Sequence, residues 1–167
     1  TTAIVGMSGS GKTTILKLLL KYYEPQFGNI TVNERPLAHI DHKNWRSKCG
    51  VVMQDSYIFS DTIAKNIALG MDKINKIQLV KASSVANIYD FIKELPLGFE
   101  TKLGGEGHGI SIGQRQRILI ARAVYRNPEF MFFDEATNSL DTSNEKLIHD
   151  NLQEFFRSNT VVIVALR

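Results

Sequence analysis

Gly6-Met7-Ser8-Gly9-Ser10-Gly11-Lys12-Thr13-Thr14 is the stretch that decides the fold. It fits G-x-x-x-x-G-K-[ST], the pattern of a phosphate-binding loop. The run before it, Thr1 to Val5, is β-branched and apolar, as a buried parallel strand is. The run after it, Thr13 to Tyr23, is rich in Leu, Ile and Lys and reads as a helix. Glycines let the backbone curl so that successive N–H groups face one concavity, and the helix N-terminus adds positive potential there. Gly6, Ser8, Gly9, Ser10, Gly11, Lys12, Thr13 and Thr14 are therefore expected to surround a phosphate chain. Lys12 would reach the β- and γ-phosphates, and the Thr13 hydroxyl would ligate Mg²⁺.

With 167 residues the chain can bury the core of one domain. The balance of 20 basic against 17 acidic residues is too even to point to nucleic acid. Cys49 is the single cysteine, so there is no disulfide framework and a reducing cytosol suits the chain. It lies in an apolar stretch and reads as core filler rather than a nucleophile. No apolar run approaches the ~20 residues of a membrane helix, and no leader pattern is read at the start. The chain opens inside one strand-like run and closes on another, Val161 to Arg167, so a longer polypeptide is expected around it.

Glu24-Pro25 is expected to end the first helix. Ile30-Thr31-Val32, followed by Asn33-Glu34 and Pro36, reads as a short strand and turn. Asp41 should cap a turn of helix through Trp45 and Arg46, and Gly50 to Met53 reads as a buried strand with Gln54 at its end. From there the pattern turns helical: a capped short helix from Asp61 to Leu69, an amphipathic one from Lys73 to Ala86, and another from Ile88 to Leu95. Gly104 to Gly109 is a glycine-rich loop. Ser111 and Gln114 form an S-x-x-Q capping box, opening a helix that buries Ile118, Leu119, Ala121, Val124 and Tyr125 and ends at Asn127-Pro128. Phe130 to Phe133 is an apolar strand running into Asp134-Glu135, and Asp141 should cap a last helix through Phe156. The expected fold is α/β: a P-loop NTPase core of residues 1–54 and 127–167 with a mostly parallel sheet, and an inserted helical subdomain of residues 55–126.

In an open parallel sheet, ligands bind beyond the carboxyl ends of the strands. Two acids directly after a fully apolar strand would thus face the same crevice as the phosphate loop. Asp134 would hold Mg²⁺, and Glu135 could polarise an attacking water. The remaining polar groups carry less. His39, His42, His108 and His149 lack metal-ligand spacing. Arg115, Arg122 and Arg126 share a helical face, read as solvated or as touching neighbouring helices rather than nucleic acid. Trp45 has no assigned role.

Taken in order, the phosphate loop, Gln54, Ile110-Ser111-Ile112-Gly113-Gln114, Phe133-Asp134-Glu135 and Asn138-Ser139-Leu140-Asp141 resemble the nucleotide-binding domain of an ATP-binding cassette (ABC) transporter over nearly the whole chain. The pentapeptide resembles that family's LSGGQ signature. The run Gln54 to Phe59 with Thr62-Ile63 looks most like exporters, and among these it is similar to bacterial peptide or bacteriocin exporters that carry a peptidase domain. The resemblance implies ATP and Mg²⁺ as ligands. It implies that Gln54 touches Mg²⁺ and the attacking water, with Lys12 and Glu135 serving catalysis. Ser111, Gly113 and Gln114 would meet ATP held by a second nucleotide-binding domain, so that two domains, in a homodimer or pseudo-dimer, sandwich two ATP molecules head to tail. The segment Tyr57 to Ala68 would receive a transmembrane domain, placing the chain at the cytoplasmic face of a bacterial cell membrane, with no nucleic acid among its partners.

Departures from the family pattern are equally specific. Ile112 replaces the first signature glycine, and Glu106 lies one place later than the glutamate that many exporters have before the signature. The aromatic that stacks on adenine belongs upstream of the phosphate loop and is not in this sequence. Leu166 stands where the family has a histidine that bonds the γ-phosphate. Leucine has neither donor nor acceptor, so hydrolysis is expected to be impaired. A hydrolysis-deficient nucleotide switch and, further off, a soluble cassette ATPase are the alternatives.

Overall fold

The computed structural model describes residues 1–104, 109–134, 150–152, 154–155, 157 and 159–166, with Leu166 by its backbone only. At its centre lies strand β5 (Phe130–Asp134). It pairs in parallel with β4 (Cys49–Val52) on one side and with β6 (Thr160–Leu166) on the other. β6 in turn pairs in parallel with β1 (Thr2–Gly6), giving the order β1-β6-β5-β4. The described sheet is thus wholly parallel, as strands separated by helices require.

Side chains on a strand alternate between its two faces, and at β5 both faces are covered. β1, expected to be buried, lies at the sheet edge with Thr2, Ala3 and Val5 exposed. Met131 and Phe133 of β5 join Val52, Val161 and Ile163 in one core; Phe130 and Phe132 join Cys49, Val51, Val162 and Val164 in the other. The first core is closed by α3 (Ile63–Ile67), α4 (Lys76–Val85), α5 (Tyr89–Glu94) and α6 (Ile112–Tyr125). The second is closed by α1 (Lys12–Leu19) and α2 (His42–Ser47), through Leu16 and Trp45. An apolar run without alternation, Phe130 to Phe133, is the sequence signature of this double burial. Each such side chain contributes about 1.5–3 kcal/mol of burial. Trp45 takes its role from the second core: its indole N–H donates to Leu19 O at 2.8 Å, and its ring lies 4.9 Å from that of Phe130.

Several elements fall where the sequence places them. Asp41 caps α2, accepting from Asn44 N at 2.8 Å. The Ile30–Pro36 run is an antiparallel hairpin of β2 (Thr31–Val32) and β3 (Arg35–Pro36). Its turn residues Asn33 and Glu34 both have positive φ, the tight turn that suits the twist of paired strands. Cys49 is buried and its thiol is pushed up to about 12 by that burial, which keeps it protonated and unreactive at neutral pH.

Other boundaries shift for local reasons. α1 ends at Leu19, well before Glu24-Pro25. Lys21 adopts φ 55° and the chain folds back, with Lys21 N bonding Leu18 O and Tyr22 N bonding Lys17 O. That double closure usually employs glycine. Here Lys21 is held by its ammonium, which donates to Ala38 O and Ile40 O, so tertiary contacts override the propensity. Thr62, not Asp61, caps α3 through Lys65 N, and Asn75 caps α4, which therefore starts at Lys76. The expected helix start at Asp141 lies outside the described residues; 150–152 and 154–155 are helical.

α6 packs tightly on β4 at Gly50. A Cβ on Gly50 would sit 2.6 Å from Ala123 O and would also meet the Met131 sulfur. The added methyl would gain about 0.8 kcal/mol from burial, against an overpacking cost of about 1–3 kcal/mol when the obstructing atom is backbone. Gly50→Ala is therefore expected to lower the denaturation free energy by about 1–3 kcal/mol, measured by urea unfolding; unchanged stability would refute this packing.

Candidate functional site

The loop after β1 is built as its glycines allow. Gly9 and Gly11 have φ of 77° and 88°, a region that side chains rarely adopt, and Gly11 leads directly into α1. Lys12 is the first residue of that helix and is only 6 % exposed. Its ammonium turns back over the loop and donates to Gly6 O at 2.9 Å and Met7 O at 2.8 Å. Ser10 N bonds Met7 O, tightening the same turn. Thr13 is half-buried beside Lys12, whereas Ser8, Ser10 and Thr14 are exposed. The loop thus presents a helix N-terminus, an inward-held cation and hydroxyls within one turn of chain. That is a set suited to a polyanion.

Strand pairing brings the acidic end to the same edge. Gly6 is in register with Leu166, and Asp134 with Val164, two residues back along β6. Because all four strands run in one direction, the phosphate loop, Asp134 and the turn after β4 all leave the sheet at its carboxyl edge. Asp134 is 2 % exposed, and Gln54 is exposed in the turn that Ser56 closes by bonding Met53 N and O. Glu135, Glu106 and Asn138 to Asp141 lie outside the described residues. Thr13, Asp134 and Gln54 offer a hydroxyl, a carboxylate and an amide oxygen, the hard donors that Mg²⁺ takes. Among the described residues no group of three or more His, Cys, Asp or Glu side chains could hold a metal by itself. This donor set fits an ion that completes its shell with phosphate oxygens.

The Ser111 turn is formed as its spacing predicts. Ser111 Oγ accepts from Gln114 N at 3.1 Å and Gln114 Oε1 accepts from Ser111 N at 2.9 Å. These bonds are internal to α6 and do not join the turn to the phosphate loop. A serine hydroxyl that accepts at a cap keeps its own O–H to donate outward. Ile112, next to it, is 72 % exposed. Among the described residues, and apart from its own turn of helix, nothing lies within 4 Å of where a Cβ on Gly113 would be.

The three α6 arginines each bond a neighbouring segment, while Arg115 and Arg126 stay exposed and Arg122 is half-buried, so both readings their spacing allowed are met in part. Arg115 donates to Ser56 O, Arg122 to Tyr57 O and Asn66 O, and Arg126 to Leu69 O. Tyr57 and Phe59 stand exposed on this segment with their rings 5.4 Å apart, near exposed Leu69 and Met71 in sequence. Asn66 was not singled out by the sequence. It is fully buried and organises the segment: its amide nitrogen donates to Phe59 O and Thr62 O, while its oxygen accepts from Phe59 N. A lone amide amid Ile63, Ala64, Ile67 and Ala68 was the available signal, since a buried polar side chain must find partners.

Comparison with known proteins agrees with this geometry. Residues 1–138 match the family model described as ABC transporter. The chain is 44 % identical over 167 residues to an ATP-dependent lipid A-core flippase of Saccharophagus degradans, covering 28 % of that protein. It is 41 % identical over 169 residues to the mitochondrial ATP-binding cassette sub-family B member 10 of Mus musculus, covering 99 % of this chain and 24 % of that protein. A solved structure of a bacterial Atm1-family ABC exporter with ATP bound superposes with a TM-score of 0.91 at 40 % identity, over 98 % of this chain and 29 % of the other. The chain therefore spans less than a third of the length of these relatives. With the family model covering most of its length, and the phosphate loop and Asp134 at one sheet edge, the chain belongs to the ABC transporter family.

Proposed function

We propose that the chain is the ATP-binding and ATP-hydrolysing motor domain of a membrane exporter, working as a head-to-tail dimer around two Mg·ATP. One observation carries the nucleotide part: the Lys12 ammonium is held inside a loop at the carboxyl edge of the sheet where buried Asp134 also ends its strand. In this reading Gly6, Ser8, Gly9, Ser10, Gly11, Lys12, Thr13 and Thr14 seat the phosphates. Lys12 exchanges its loop carbonyls for β- and γ-phosphate oxygens. Thr13, Asp134 and Gln54 would hold Mg²⁺, which would supply positive charge against that of the phosphates. Glu135 and Gln54 position and polarise the attacking water.

Support for the dimer comes from the Ser111 turn. Glycine near a helix start costs up to about 1 kcal/mol relative to alanine, and among the described residues nothing outside its own turn packs where a Cβ on Gly113 would be. An exposed capped serine, an exposed Ile112 and an open Gly113 suit close approach by a second molecule's nucleotide, with Gln114 setting the cap. ATP binding would then favour closure and hydrolysis would release it, a population shift between two states.

The exporter part rests on the relatives and on the exposed aromatic segment. Within Tyr57 to Ala68, exposed Tyr57 and Phe59 would take a transmembrane domain at the cytoplasmic face of a bacterial membrane, whereas Ile63, Ala64, Asn66, Ile67 and Ala68 are buried. Among the described residues no helix is long and apolar enough to cross a membrane itself. Residues 1–54 and 127–167 would form the nucleotide core and 55–126 the inserted helical subdomain carrying the Ser111 turn.

A second reading is favoured by Leu166. Its backbone is in register with Gly6, the first residue of the phosphate loop, so a donor at this position would lie next to the phosphates. Leucine supplies none, and a nucleotide switch with weak turnover follows.

Two measurements test these readings. Lys12→Met, which keeps the aliphatic stem and removes the charge, should weaken Mg·ATP binding at least about tenfold, given about 1.5–3 kcal/mol for a charged hydrogen bond. Equal affinity, read by titration with a fluorescent ATP analogue, would refute the nucleotide site. Leu166→His should raise the steady-state ATPase rate about tenfold or more, as a donor aimed at developing charge does. Equal rates would remove the case for impaired hydrolysis.

A further inference from the structure

The Ser111 turn and the segment from Ser56 to Leu69 are joined by one helix. α6 runs 14 residues from Ile112 to Tyr125, roughly 21 Å at 1.5 Å per residue. Arg115, Arg122 and Arg126, spaced by seven and four residues, lie on one face of it. Each donates to a backbone oxygen of the same segment: Arg115 to Ser56 O at 2.7 Å, Arg126 to Leu69 O at 2.9 Å. Arg122 does more. Its Nη1 donates to Tyr57 O at 2.8 Å, its Nε to Asn66 O at 2.7 Å, and its Nη2 to Asn66 Oδ1 at 3.1 Å. The guanidinium also lies 5.5 Å from the centre of the Phe59 ring.

One planar fork therefore ties both ends of the 57–66 segment to the helix, and buried Asn66 ties the same segment to itself through Phe59 and Thr62. Burial lowers the guanidinium to about 10, so it is charged at neutral pH and its hydrogen bonds are charge-assisted. Its acceptors are two backbone carbonyls and the Asn66 amide oxygen, with no carboxylate among the bonds described. Lysine, a point charge, could not bond three acceptors in this fixed geometry.

We infer that Arg122 is a positioning residue that makes the exposed surface around Tyr57 and Phe59 travel with α6, so that displacement of the Ser111 turn reaches that surface without being absorbed in the loop. This rests on the reading above that the Ser111 turn meets nucleotide and that the Tyr57 segment meets the transmembrane domain. Packed helices move as bodies, and α3 already shares its core with α6 through buried Ile63 and Ile67. The stretch before it, Ser56 to Asp61, is tied to α6 through Arg115 and Arg122, without which it would relax independently. A merely stabilising arginine would lower stability on removal without separating the responses of the two regions.

The test is hydrogen–deuterium exchange on the full-length polypeptide in lipid nanodiscs, with and without Mg·ATP, following segments 57–69 and 112–118. The wild type should show nucleotide-dependent exchange in both. In Arg122→Gln, exchange in 57–69 should be about tenfold faster without nucleotide and should no longer respond to Mg·ATP. Segment 112–118 should still respond, with ATP affinity within about twofold of wild type. Arg122→Lys, which keeps charge and loses the fork, should show the same separation to a smaller degree, and it carries the test if the glutamine variant does not fold. Retention of the response at 57–69 in both variants, joint loss at both segments, or misfolding of both variants would overturn the inference. A wild type that binds Mg·ATP with no response at 57–69 would overturn it too. A wild type that binds no Mg·ATP would instead refute the nucleotide reading, and this inference with it.

Discussion

Parallel pairing of β1, β6, β5 and β4 is the constraint on which everything else depends. Strands that all run one way need crossovers, and the crossovers cover both faces with helices. They also gather every strand's carboxyl end at one edge. The phosphate loop after Gly6, Asp134 and the Gln54 turn leave the sheet at one edge for that reason. None of them contacts the others in sequence. The alternation of Phe130 and Phe132 against Met131 and Phe133 keeps the register from slipping, since a shift by one residue would exchange the two cores.

Legibility in the sequence followed how local each feature is. The phosphate loop, the Asp41 cap and the Ser111–Gln114 box were readable because each is a bond between residues a few positions apart. The doubly buried β5 was readable because four consecutive apolar residues leave little else. The end of α1 was not, because it is set by Lys21 reaching Ala38 and Ile40 across the fold. Trp45 was mute for the same reason: its partners, Leu19 and Phe130, are distant in sequence. The arginine face of α6 could be seen, and its partners could not, since carbonyl acceptors carry no sequence signal.

The two ends of α6 face different tasks. Its first turn is exposed and capped, with an open glycine. Its body is packed on β4 and carries the 56–69 segment through arginine side chains. On the proposed reading a change at the first turn of this helix reaches the surface around Tyr57 and Phe59. The body of the helix shares one core with β4 and β5, so the phosphate loop and the exposed aromatics are tied to the same sheet.

The central claim is that two copies share each nucleotide, the phosphate loop of one facing the Ser111 turn of the other. Cys49, the one cysteine of these 167 residues, is buried with its thiol pushed up to about 12, so it does not compete with introduced surface cysteines. The direct measurement is disulfide formation between Ser8→Cys of one copy and Ile112→Cys of another, in the full-length polypeptide, with and without Mg·ATP. The account predicts an intermolecular cross-link that appears with Mg·ATP and is lost when Lys12→Met is added. A cross-link that forms equally without nucleotide, or none under any condition, would contradict it.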